Sequence, residues 1–154
     1  MLKFLGQAGF MYETKNEILL MDPWMSKEGA FDSSWYQFPP NHDLGDQIRE
    51  DIKLSNKEIY IYISHEHKDH FDVPYLKTLD LSKINFITPK FRRDHVASVL
   101  NKLNPKSVTT PIDSEVLNIG NMEIRLFLDD QEIVRDSALG LIDKEKDFTF
   151  LNLN

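Results

Sequence analysis

The chain has 154 residues, 41% of them hydrophobic, which is one domain's worth of sequence with enough apolar material to bury a core without disulfides or a structural metal. Against 25 Asp and Glu stand 18 Lys and Arg, and the formal charge of −7 argues against a sequence-independent grip on nucleic acid and against docking to anionic lipid. Cysteine is absent, which excludes thiolate catalysis, Cys-type zinc sites and thiolate-bound iron–sulfur clusters within these residues. No apolar run approaches the ~20 residues of a membrane span and Met1 to Gly6 lacks a signal-peptide pattern, so a soluble, cytoplasmic protein is expected.

The first quarter reads as β-structure. Leu2 to Leu5 is short and apolar and is broken by Gly6-Gln7-Ala8-Gly9. Phe10 to Glu13 and Glu17 to Met21 flank the polar loop Thr14-Lys15-Asn16, as in a hairpin. Ile18 to Met21 is continuously apolar, the pattern of a strand covered on both faces, and Asp22-Pro23 ends it. Trp24 to Asp43 is irregular and aromatic, a connection long enough to suggest a functional loop. Leu44, Ile48 and Ile52 recur at steps of four and predict a helix over Asp43 to Leu54, and His42 before it is expected in an exposed loop, with a substrate contact as its alternative role.

Glu58 to Ser64 is β-branched and aromatic throughout and predicts a strand. Phe71 to Leu81 predicts a short helix opening at Asp72 and Val73-Pro74, with Tyr75, Leu76 and Leu79 turned inward. Ile84 to Thr88 is a further strand, closed by Pro89. Phe91, Val96, Val99, Leu100 and Leu103 form one stripe of an amphipathic helix over Phe91 to Leu103, which gives His95 a core-flanking structural role. Strands follow at Ser107 to Thr110, Glu115 to Ile119 and Met122 to Leu128, and Ser137 to Ile142 with Phe148 to Leu153 makes a last hairpin. That strand-like run continues to Asn154 with no polar tail, from which a longer domain cut at this point is expected.

Three of the five histidines fall in His65-Glu66-His67-Lys68-Asp69-His70, directly after a strand. In an extended chain side chains alternate, so His65 and His67 point to one side and can grip one cation. Asp69 and His70 stand where the chain turns toward the next helix and can swing to a second position. Glu66 and Lys68 alternate outward and are expected in solvent. Imidazole with carboxylate suits zinc, iron or manganese, and a paired site sets two ions roughly 3.5–4 Å apart. Trp35, Tyr36 and Phe38 are expected to be buried against the sheet, with a stacking platform for a sugar or nucleotide ring as the alternative. P-loop, dinucleotide-binding and serine-hydrolase motifs are absent.

The H-x-H-x-D-H pattern at 65–70, with Leu5 to Phe10 and Ile18 to Trp24, resembles the metallo-β-lactamase fold superfamily. The resemblance implies an α/β sandwich of layers αββα, represented here by its N-terminal part. It implies that His65 and His67 bind a first divalent metal, zinc before iron or manganese, and that Asp69 and His70 bind a second. It also implies that Asp69 orients the reacting water and that Asp22 stands behind the ligands. The loop residues Gly29-Ala30-Phe31 and Trp35 to Pro40 are similar to the subgroup containing CMP-N-acetylneuraminate hydroxylase. The family's later histidine ligand is replaced near Leu126 to Leu128 by Asp129-Asp130, so Asp129 is the candidate for that position, with a polar turn as its alternative role.

Three functions follow as expectations. The first is metal-dependent hydrolysis of a small-molecule ester, lactone, phosphodiester or nucleotide-sugar-like substrate, with Trp35 and Tyr36 as candidate substrate contacts. The second is an iron-dependent oxygenase role, whose electrons must come from a separate module because a Cys-free chain holds no Rieske centre. The third is a non-catalytic fragment or interaction domain with an incomplete metal site.

Overall fold

Two β-sheets stacked face to face, with helices on the outer side of the first, make up the computed structural model, which describes residues 1–131 and 135–153. β1 (Leu2–Gly6), β2 (Gly9–Glu13) and β3 (Glu17–Met21) run antiparallel in succession. β4 (Glu58–Tyr62), β5 (Ile84–Ile87) and β6 (Ser107–Thr109) then add parallel to β3, in the order β1-β2-β3-β4-β5-β6. The crossovers carry α1 (His42–Leu54), α2 (Val73–Leu76) and α3 (His95–Lys102). β7 (Val116–Ile119), β8 (Met122–Asp130), β9 (Arg135–Asp143) and β10 (Phe148–Asn152) form an antiparallel second sheet, ordered β10-β9-β8-β7.

β3 shows why the stack holds. All five of its residues are buried, and side chains alternate between two cores. Leu20 joins Ile59, Ile61 and Phe86 against Ile48, Ile52 and Leu100 of the helices. Leu19 and Met21 join Tyr62 and Ile87 against Ile124, Leu126, Leu139 and Leu141 of the second sheet. The other face of that sheet carries Phe127, Ile142 and Leu151, which are exposed among the described residues.

Several boundaries differ from the sequence reading. α2 is one turn long, and a 3-10 turn at Leu81–Lys83 follows it, because Thr78 Oγ1 donates to the Tyr75 carbonyl (2.7 Å) and offers that backbone group an alternative partner. α3 begins at His95 after Asp94, and Phe91 is buried from a turn in which its N–H donates to the Pro89 carbonyl. His42 is the first residue of α1, not a loop residue. β8 and β9 extend to Asp130 and back to Arg135, since the ladder continues through Asp129↔Asp136. β4 ends at Tyr62, although the Ile63 N–H still donates to the Ile87 carbonyl. Asn154, the last residue of the strand-like run, lies outside the described residues. No described helix is long and apolar enough to cross a membrane.

Candidate metal centre

The parallel strands bring their carboxyl ends to one edge, where ligands of α/β sheets are commonly held. Asp22 follows β3 directly, in a left-handed conformation (φ 42°), and its N–H donates to the Tyr62 carbonyl of β4 (3.0 Å). Ser64 and His65 follow β4. The chain then bends and turns: the N–H groups of His70 and Phe71 both donate to the His67 carbonyl, at 3.0 and 2.7 Å. His65 and His67 therefore converge through a bend and not, as the sequence reading has it, through the alternation of an extended strand. Their rings lie edge to face, with centroids 4.6 Å apart and His65 Nε2 2.9 Å from His67 Nδ1.

The hydrogen-bond network assigns the protons. Ser64 Oγ has one proton, which it donates to Asp22 Oδ2 at 2.6 Å, and the Ser64 N–H donates to Asp22 Oδ1 at 2.8 Å. Toward His65 Nδ1 (2.9 Å) and His70 Nδ1 (3.3 Å) that hydroxyl oxygen can only accept. Asp136 Oδ1, 3.1 Å from His65 Nδ1, can also only accept. Nδ1 of His65 therefore carries its proton, and the lone pair on Nε2 faces His67. The His70 Nδ1–H likewise faces Asp22 Oδ2 (3.0 Å), which turns its Nε2 toward Asp69 Oδ2 (3.3 Å). Burial alone would lower the His70 pKa. The hydrogen bond to Asp22 and the charges of Asp22, Asp69 and Asp136 outweigh it and hold His70 above its ordinary value.

Two inward-facing pairs result, His65 with His67 and Asp69 with His70. Among the described residues no three His or acidic side chains converge on one point. In this state His67 Nδ1–H donates to His65 Nε2, and a cation there would take the place of that proton; the spacing of each pair fits one. With metal–nitrogen bonds of about 2.0–2.1 Å, two ligands 90–110° apart on one ion stand about 2.9–3.4 Å from each other. Asp69 adds an independent observation: the residue is buried, and its Oδ1 has no hydrogen-bond partner, a costly state for a carboxylate oxygen unless a cation or water meets it. Gln7 Nε2 reaches only Oδ2, at 3.4 Å.

Asp22 lies behind His70, where it fixes the ring. Asp129 is exposed at the end of β8, in register opposite Asp136, and among the described residues it makes no hydrogen bond or ion pair with the histidines. The aromatic loop also differs from expectation. Trp35, Tyr36 and Phe38 are 44%, 55% and 94% exposed and do not bury against the sheet. Phe31, Asp32 and Ser33 adopt left-handed φ values of 51°, 55° and 64° in succession, and the Ala30 N–H donates to the Trp35 carbonyl (2.8 Å). This tight turn swings the rings outward, with Phe31 stacked on Trp35 (6.1 Å) and edge-on to His67 (6.2 Å). Lys68 and Glu66 are paired, Lys68 with Asp32 and Glu66 with Arg135, each at 2.7 Å. A cavity of about 370 Å³ lined by Gly29, Asp32, Lys68, Phe71 and His95 adjoins the motif loop, which gives exposed His95 a place in a cleft wall and not only beside the core. Asp136 and Gln7 escape a reading of the sequence, since each enters by tertiary approach, and Ser64 reads only as the end of its strand.

The chain matches the model of the beta-lactamase superfamily domain over residues 1–144. Over 73 residues it is 38% identical to a protein of Mycolicibacterium smegmatis that carries the name of a Rieske 2Fe-2S iron-sulfur protein, a match to 47% of this chain and 12% of that one. Its fold is similar to that of CmlA, a diiron beta-hydroxylase from Streptomyces venezuelae (TM-score 0.69, 18% identity, 98% of this chain and 28% of that one). It is similar also to a "possible metal-dependent hydrolase" from Veillonella parvula (TM-score 0.68, 14% identity, 98% of this chain and 61% of that one). The chain thus spans less than two thirds of the length of each of these proteins. With the family model matched over residues 1–144 and 98% of the chain covered by each of these two structures, the chain belongs to the beta-lactamase superfamily and has the metallo-β-lactamase fold.

Proposed function

We propose that the chain acts in metal-dependent hydrolysis of a small-molecule ester, lactone, phosphodiester or nucleotide-sugar-like bond in the cytoplasm. The observation that carries this reading is the convergence of His65 Nε2 and His67 Nδ1 beside the unpartnered Oδ1 of Asp69. His65 and His67 would hold a first divalent ion, and Asp69 with His70 a second, zinc being the first choice and iron or manganese suiting the same donors. An ion bound there supplies Lewis acidity and lowers the pKa of its water toward about 7. Asp69 would hold the second ion, and its otherwise unpartnered Oδ1 would orient the reacting water. Asp22 holds the His70 ring. Phe31 and Trp35, exposed beside His67, form an apolar wall against which a flat substrate group can lie, and Tyr36 extends it. Hydrolysis of p-nitrophenyl esters, phosphodiesters and lactones by the zinc-loaded chain tests the reading. Turnover that a chelator abolishes, and that Asp69→Asn lowers at least ~100-fold, is expected. Hydrolysis indifferent to both overturns it.

The likeness to a diiron hydroxylase and to a Rieske-named relative favours a second reading, iron-dependent oxidation, with an electron-donating partner because this chain has no cysteine. Strictly anaerobic assay separates the two, since hydrolysis persists without oxygen.

A further inference from the structure

Strand β9 holds the motif loop by three consecutive side chains. Ser137 Oγ donates to the Ser64 carbonyl (2.9 Å), Asp136 Oδ1 meets His65 Nδ1 (3.1 Å), and Arg135 Nη2 donates to Glu66 Oε1 (2.7 Å). Residues 137, 136 and 135 thus face 64, 65 and 66 in antiparallel order. Beneath them the Tyr62 hydroxyl donates to the Ser137 carbonyl (2.8 Å). The second sheet, distant in sequence, therefore sets the shape of a loop carried by the first.

We infer that Asp136 is a positioning residue for His65: its carboxylate accepts the Nδ1 proton and so aims the Nε2 lone pair at the point shared with His67 Nδ1. Three observations support it. His65 is buried and turns Nδ1 toward two acceptors, Ser64 Oγ and Asp136 Oδ1. Ser64 Oγ, the hydrogen-bond partner at 2.9 Å, is also drawn on by Asp22 and His70, and Asp136 Oδ1, at ion-pair distance, also accepts from the Ser137 N–H (2.7 Å). The carboxylate nevertheless sets a negative charge beside Nδ1, which favours its proton and raises the basicity of the far nitrogen. The contact is made at the nitrogen that faces away from His67, so Oδ1 backs the ring and does not share an ion with Nε2. Asp22 does the same for His70 from the first sheet, so each sheet supplies one carboxylate to one imidazole. The functional consequence rests on the metal-site reading above.

Two measurements on the whole chain test this. In proton–nitrogen correlation spectra of the metal-free protein, the His65 Nδ1 proton is expected at low field in the wild type and shifted upfield in Asp136→Asn. In cobalt titrations against a competing chelator, Asp136→Asn is expected to weaken binding about 10- to 100-fold. Arg135→Gln, which removes the outer contact and touches no histidine, is expected to stay within about twofold of wild type. An unmoved Nδ1 proton, an unchanged cobalt affinity in Asp136→Asn, or an equal loss in Arg135→Gln overturns the inference. A wild type that binds no cobalt contradicts the metal-site reading instead, and the Nδ1 proton then decides alone whether Asp136 holds His65.

Discussion

Ser64 is fully buried and touches Asp22, His65 and His70 through one hydroxyl. Replacing it with alanine removes a hydrogen bond to a buried carboxylate, and Ser64→Ala is expected to cost about 1.5–3 kcal/mol in urea unfolding. A loss below about 0.5 kcal/mol would show that the network is not held at this residue. The residue-scale legibility of the centre follows from chain distance. His65, His67, Asp69 and His70 fall within six residues and are chemically unusual, and Asp22 adjoins a clear strand end, so all five stand out in the sequence. Ser64 reads as the last residue of an apolar strand. Asp136 and Gln7 reach the centre from 71 and 62 residues away, measured to His65 and Asp69, and nothing local marks them. The exposure of Trp35 is hidden for another reason: three successive left-handed residues without glycine at Phe31 to Ser33 run against backbone preference and leave no sequence signal.

At the scale of elements, Asp72 joins α2 to the long aromatic loop. Its Oδ1 accepts from the Tyr75 N–H (3.1 Å), and its Oδ2 accepts from the N–H groups of Met25 (2.8 Å) and Ser26 (2.7 Å). Asp72→Ala leaves three backbone donors without this acceptor and is expected to lower stability by about 2 kcal/mol or more, together with faster proteolysis of the 24–41 loop. Unchanged stability and cleavage would refute this role. Asp72 was legible as a helix start, but its hold on Met25 was not, because helix caps are local signals and loop anchors are tertiary. The parallel strands were readable from apolar runs such as Ile18 to Met21. The start of α3 was misplaced because Phe91 extends the apolar stripe, although Asp94 immediately precedes the true first turn.

Across the whole molecule, the two sheets are tied at the end opposite the histidines by Tyr12 of β2 and Asp143 at the end of β9. The Tyr12 hydroxyl donates to Asp143 Oδ2 (2.8 Å), and its ring stacks on Phe148 (5.2 Å). Burial and the Asp143 contact push the Tyr12 pKa from 10.0 to about 12. For Asp143, burial acts upward, but the Tyr12 hydroxyl, the N–H groups of Lys146 and Glu145 and the Lys146 ammonium outweigh it and hold the carboxyl below its ordinary value. The Asp143 contribution is therefore complete above the ordinary carboxylate range and is lost as pH falls through the folded value. The Tyr12 contribution is complete below pH 10.0 and is lost as pH rises toward about 12. Tyr12→Phe is expected to cost most stability near neutrality, with the gap to wild type narrowing at both extremes. A gap constant with pH would contradict the tie. None of this pairing was legible beforehand: alternation identifies strands, but the order and register that bring Tyr12 to Asp143 are set by contacts 131 residues apart.

The central claim is that His65 and His67 converge to hold a divalent cation, and metal content after equilibrium dialysis against zinc or cobalt tests it most directly. The wild-type chain is expected to retain at least one ion per molecule, and a His65→Ala, His67→Ala double variant with an unchanged circular dichroism spectrum is expected to lose it. Equal metal content in the two proteins, or none in the wild type, would contradict the claim.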